Sequence, residues 1–221
     1  MPILASDVIA EAAALLNDTN QVTFTNTNVL PYLIRANREL EVNLVRLGAQ
    51  VITQIATVTT IPASAVAIEY SPLPSDIVYP MELGERNQGA TTDDFIPMSE
   101  LDFEPSLQIC DMLHFWAWRN NNIYFIGCTQ PRDVRLVYRR MLSAIVSDTS
   151  NEEVIESEPW LAARTAELCA RYIGENKIRA DDLKIDVLDA WDNLQGMIAK
   201  SLQGMRARHR PFQYNGIYYQ G

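Results

Sequence analysis

The stretch 29–48, VLPYLIRANRELEVNLVRLG, constrains this chain more than any other. Leu30, Leu33, Asn37, Leu40, Leu44 and Leu47 recur at three- and four-residue steps, which lines them along one face of a helix. Arg35, Arg38, Glu41, Asn43 and Arg46 take the other face, so the helix must bury one side and wet the other. Thr27 or Asn28 can cap its start, Pro31 falls in the first turn where its missing N–H costs nothing, and Gly48 supplies a left-handed stop. Asn37 is the polar exception in the stripe. Its amide must bond a neighbouring segment or sit at the wet margin.

Other segments share this period. Ser6 can cap a short helix carrying Val8, Ile9, Ala12, Leu15 and Leu16, which ends at Asn17-Asp18 before a Thr- and Asn-rich loop, 19–27. After an acidic linker, 143–157, Ser157 and Pro159 mark a helix start. Leu161, Thr165, Leu168 and Tyr172 line that helix, which stops near Gly174. A longer one runs from about Asp181 to Met205, with Val187, Trp191, Leu194, Ile198, Leu202 and Met205 in step and Ala190 and Met197 broadening the stripe. These two helices predict an antiparallel hairpin whose seam packs on the opening helix.

Between the helical ends the period falls to two. Thr53, Ile55, Thr57, Thr59 and Ile61 predict a strand ending at Pro62, and a second short strand follows at 66–70. Pro72, Pro74 and Pro80 hold 71–83 extended, 84–94 reads as a polar exposed loop, and 96–103 as an edge segment or turn. Residues 113–118 and 123–126 are aromatic-rich runs joined by Arg119-Asn120-Asn121-Asn122, the composition of a tight hairpin. Pro131 then turns the chain into a strand over 134–141, with Val134, Leu136 and Tyr138 on one face and Arg135, Val137 and Arg139 on the other. Trp116, Trp118, Tyr124, Phe125 and Tyr138 predict an aromatic cluster on the sheet. The expected class is α+β: a helical bundle from 1–50 and 143–205, a central antiparallel β-rich insertion, 51–142, and an extended C-terminal tail, 206–221.

The formal net charge of −10 argues against a protein that grips nucleic acid, because phosphate contacts need a basic face. No apolar run reaches the ~18 residues a membrane helix needs, and no basic-then-apolar leader opens the sequence, so a cytosol-like compartment is expected. Cys110, Cys128 and Cys169 are scattered and read as buried small hydrophobes, not as a disulfide framework or zinc site. No phosphate loop, GxSxG or HExxH occurs, and His114 and His209 have no catalytic company. Asp93-Asp94, Glu152-Glu153 and Asp181-Asp182 could hold a hard cation, but adjacent acids are ordinarily a solvated face or a helix-dipole partner. No catalytic, cofactor or metal site is therefore expected.

The end of the chain differs in kind. Arg206, Arg208, His209 and Arg210 are followed by Phe212, Tyr214, Ile217, Tyr218 and Tyr219. Disordered tails are poor in aromatics, whereas interface anchors are rich in Tyr and Arg. Arg206, Arg208, Arg210, Phe212, Tyr214, Tyr218 and Tyr219 are the candidate partner-binding residues.

The order of these motifs resembles the head-to-tail adaptor proteins of tailed bacteriophages. A helix carrying LIRANREL is followed by Tyr70, Leu73, Pro74 and Asp76 of a Tyr…Leu-Pro-x-Asp segment, then by the apolar run 123–126, the turn at Pro131 and the strand residues Leu136 and Tyr138. The resemblance covers nearly the whole chain. It implies a structural virion protein without enzymatic activity or cofactor, at the capsid–tail junction, assembled in the host cytoplasm. It also implies a homo-oligomeric ring of about twelve copies beneath the portal, touching a tail or nozzle protein and letting DNA pass without specific binding. An acidic channel would favour sliding over sticking. A tail-completion or other neck protein contacting the tail is the alternative. An intracellular enzyme or ligand-binding module using the aromatic sheet is a third reading.

Overall fold

A computed structural model of the chain describes residues 3–102, 109–154 and 156–206, with side chains up to residue 200. In chain order these form β1 (Ile3–Leu4), α1 (Ala5–Leu15), α2 (Asn26–Leu47), β2 (Thr53–Ile55), β3 (Thr59–Ile61), β4 (Ile68–Glu69), β5 (Ile77–Asn87), β6 (Ile96–Pro97), β7 (Ser99–Glu100), β8 (Phe115–Arg119), β9 (Asn122–Phe125), β10 (Arg132–Arg140), β11 (Asn151–Glu152), α3 (Glu158–Tyr172) and α4 (Lys177–Arg206). The class is mixed α+β, with antiparallel pairing except between β7 and β8. Contacts divide the chain into two units, one from the residues up to Val51 and those from Ser143 onward, the other Ile52–Leu142.

In the first unit α3 packs against α1, α2 and α4. Leu161, Ala162, Ala163, Ala166, Leu168, Cys169 and Ala170 are all buried, and the small side chains among them let neighbouring backbones come close. Burial pushes the Cys169 thiol up to about 12, so it stays a neutral apolar group. The buried stripe of α2 is Val29, Leu33, Ala36, Asn37, Leu40 and Leu44, with Leu47 exposed at its end. Asn37 does bond a neighbouring segment, donating to the Ser143 carbonyl at 3.3 Å.

The start of α2 differs from expectation. Thr25, not Thr27 or Asn28, is the cap, its hydroxyl accepting the Asn28 N–H. Pro31 therefore lies in the second turn, where its missing N–H leaves the Thr27 carbonyl without its helical donor. Gly48 closes the helix at φ 65°, the left-handed stop the sequence predicts. Helix α4 begins at Lys177, earlier than expected, because the Asn176 carboxamide oxygen accepts the Arg179 N–H at 3.0 Å. Residues 143–157 are more than a linker, since β11 pairs antiparallel with β1. A chain of alternating charges, Arg35–Glu39–Arg164–Glu167–Arg171–Asp181, runs from α2 over α3 to α4.

The loop after α1 is organised by Asp18, whose carboxylate accepts the N–H groups of Phe24, Val22 and Thr23 at 2.8, 3.0 and 2.7 Å. These bonds, that from Phe24 foremost, hold the carboxyl below the ordinary Asp value of 3.8. A depressed folded pKa stabilises above 3.8 and loses that stabilisation as pH falls through the lower folded value. Hydrogen-exchange protection at Val22, Thr23 and Phe24 is expected to drop selectively below pH 3.8. In Asp18→Ala it should be absent at every pH, and unchanged protection there would count against this anchor.

The second unit has two sheets, ordered β2-β10-β5-β6, with β3 also on β10, and β4-β9-β8-β7. They share one core, which includes Tyr70, Leu83, Trp116, Phe125, Leu136 and Tyr138. The β8–β9 turn is built as expected: Asn120 and Asn121 sit at φ 49° and 57°. Three expectations are corrected. The single strand over 53–61 is two, because the three residues between Ile55 and Thr59 span the two between Val137 and Val134 on β10, and the extra residue breaks the ladder. Strand β10 lies in the other sheet from the hairpin, so the aromatics are shared between sheets. Finally, β5 continues through Gly84, Glu85, Arg86 and Asn87, which read as exposed loop in sequence.

Candidate functional site

The residues of the Tyr…Leu-Pro-x-Asp segment come together with Tyr138 in the second unit. Tyr70 is 2% exposed and its hydroxyl donates to Thr59 Oγ1 at 3.0 Å, while Tyr138 donates to Asp76 Oδ1 at 2.9 Å. Burial, then the bond to the Asp76 carboxylate, pushes the Tyr138 phenol up to about 12, so it remains a neutral donor. Leu73 packs on the shared core, and with Tyr70, Pro74 and Tyr138 it lines a groove of about 320 Å³. These are fastening contacts: each polar tip is satisfied by a neighbouring segment.

A denser polar centre lies where β5 meets β10. Glu85, 1% exposed, accepts Arg132 Nε at 2.9 Å and the backbone N–H groups of Leu113 and His114 at 2.9 and 2.7 Å. Arg132 also donates to Asn87. Next to it, Asp133 accepts from Thr60 Oγ1 at 2.7 Å and Gly89 N at 3.0 Å. Glu85, Arg132 and Asp133 are each ion-paired or hydrogen-bonded, so this centre ties Leu113 and His114 to the sheet. Sequence reading missed it because Glu85 and Arg132 are 47 residues apart and each looks like a surface charge.

The first unit presents two outward faces. On α2, Arg35, Arg38, Glu39, Val42, Asn43 and Arg46 line a groove of about 400 Å³. Burial raises Glu39, but Arg164 and Arg35 together hold it below the ordinary carboxylate range. On α4, Asp182, Ile185, Asp189 and Asp192 follow three- and four-residue steps along the solvent side, with Ile185 62% exposed. The expected α4 stripe, counted from Val187, overlooked this face; the spacing of Ile178, Asp182, Ile185 and Asp189 was its signal.

Of the predicted partner-binding residues, Arg206 is the last residue of α4, and Arg208, Arg210, Phe212, Tyr214, Tyr218 and Tyr219 lie outside the described residues. Of the acid pairs, Glu152-Glu153 and Asp181 make structural contacts: Glu152 accepts from Val154 N, Glu153 from Ser143, and Asp181 pairs with Arg171. Among the described residues no three His, Cys, Asp or Glu side chains group to hold a metal, and no helix is long and apolar enough to cross a membrane. Cys128 and Cys169 are buried, but Cys110 is exposed, contrary to expectation. Its thiol donates to the Met112 carbonyl at 3.1 Å, so backbone contact, not apolar packing, holds it.

Among known proteins, the family model described as SU10 adaptor protein matches residues 3–213. No curated protein matches the chain.

Proposed function

We propose a role for this chain from one premise: it belongs to the SU10 adaptor protein family, a family of phage head-tail adaptors whose model spans nearly all of it. The protein is a structural component of the virion neck. Copies form a ring of about twelve beneath the portal vertex, joining capsid to tail and letting the genome pass. The ends of the chain, 1–50 and 143–205, are its helical bundle, 51–142 is a β-rich insertion, and 206–221 is the docking tail. The carrying observation is the family match over 3–213. Supporting it is a net charge of −10, which would repel the DNA backbone from a channel wall.

In the tail, Arg206, Arg208 and Arg210 supply charge-assisted donors, and Phe212, Tyr214, Tyr218 and Tyr219 supply aromatic anchors for the portal. Sedimentation velocity of the chain mixed with the portal ring of the same phage tests this. The full-length chain is expected to co-sediment and a chain ending at Met205 to lose at least about 100-fold in affinity, the scale of two anchor residues. Equal binding of both would move the docking site off the tail. Binding of neither would favour a neck protein that contacts the tail side.

A further inference from the structure

The two outward faces of the first unit complement one another when their helices run antiparallel. Ascending α2, the exposed series is Arg38, Val42, Arg46; descending α4, it is Asp189, Ile185, Asp182. We propose that α2 of one copy packs antiparallel on α4 of a second copy, pairing Arg38 with Asp189, Val42 with Ile185 and Arg46 with Asp182. This deepens the ring reading above and rests on it.

Length, charge and apolarity agree. Arg38 to Arg46 spans about 12 Å of helix and Asp182 to Asp189 about 10.5 Å, a mismatch that flexible side chains absorb. One turn further Arg35, already paired with Glu39, would face Asp192. Val42 and Ile185 are 49% and 62% exposed, an unpartnered apolar centre between flanking charges. Among the described residues Arg38, Arg46, Asp182, Asp189 and Asp192 make no ion pair, whereas Asp181, one position off the stripe, is taken by Arg171. The chain therefore carries both halves of the contact unused. Because the halves are on different helices the contact is heterologous, and it propagates from copy to copy until rotation closes it. A partner of other chemistry would need to match only one half.

The test uses the full-length chain assembled on its portal ring, with Cys110→Ser to remove the exposed thiol. Adding Val42→Cys and Ile185→Cys and oxidising is expected to give a ladder of covalent multimers on a non-reducing gel, because the paired positions meet within disulfide reach. Neither chain carrying just one of the two added cysteines should give a ladder, since Cys128 and Cys169 are buried. Multiple copies on the portal, counted by native mass, without a ladder would overturn this pairing and leave the ring reading intact. One copy or none would overturn both. A charge series checks the same contact without covalent chemistry. Arg38→Asp with Arg46→Asp is expected to raise the concentration for half-assembly at least about tenfold, and adding Asp182→Arg and Asp189→Arg to restore it. Unimpaired assembly of the first variant, or no rescue in the second, would overturn the proposal.

Discussion

Arg132→Met is expected to destabilise the second unit by about 3–5 kcal/mol, the scale for breaking a buried ion pair from one side. Glu85, at 1% exposure, would lose its cationic partner and keep two backbone N–H groups as its remaining ones. The loss comes from the uncompensated charge and not from the pair's own net energy, which desolvation largely offsets. Combining Arg132→Met with Glu85→Leu should therefore recover part of the stability but not all. The N–H groups of Leu113 and His114, bonded to Glu85 in the single variant, would then lack an acceptor, at about 1–3 kcal/mol each. Denaturant unfolding followed by Trp fluorescence measures this. With Trp160 and Trp191 replaced by Phe, the signal comes from Trp116 and Trp118 of the second unit. A loss below about 1 kcal/mol in the single variant would show that Arg132 does not neutralise Glu85.

Gly127→Ala is expected to be nearly as severe, at about 3 kcal/mol, through crowding instead of charge. A Cβ there would stand 2.1 Å from the Ser64 carbonyl oxygen and 2.7 Å from that of Val66. Both neighbours are backbone, so no side chain can swing away. The adjoining Ser64–Cys128 bridge, with its Ser64 N–H donated to the Cys128 carbonyl at 2.8 Å, must part to make room. Loss of exchange protection at the Ser64 amide would accompany the drop in stability. Gly196→Ala gives the contrast: nothing lies within 4 Å of its Cβ, so the substitution should stabilise α4 by about 1 kcal/mol. Similar effects at the two positions would refute the steric account.

What the sequence made legible was short in range. The buried stripe of α2, the positive φ at Asn120 and Asn121, and the alternation of Val134, Leu136 and Tyr138 each depend on neighbours within a few residues. What it hid depends on partners far along the chain. Glu85 and Arg86 have loop composition, and only the ladder with β10 makes them strand. The break between β2 and β3 is invisible in an alternating Thr/Ile run because it arises from the count of residues on the opposing strand. The same holds for the surfaces. The Arg-bearing face of α2 was read directly, whereas the Asp/Ile face of α4 was lost when its start was placed near Asp181, after the first of its exposed isoleucines.

The first unit is discontinuous, and that sets an order of events on the ribosome. Helices α1 and α2 are complete by Leu47, but α3, against which both pack, begins at Glu158. At about 5–20 residues per second, roughly 5–20 seconds of synthesis separate the two. During that interval Val29, Leu33, Leu40 and Leu44 have no α3 to cover them, while Ile52–Leu142 emerges whole and can close its own core. The nascent chain thus folds its middle before its ends, and the apolar stripe of α2 is the surface a chaperone would meet first.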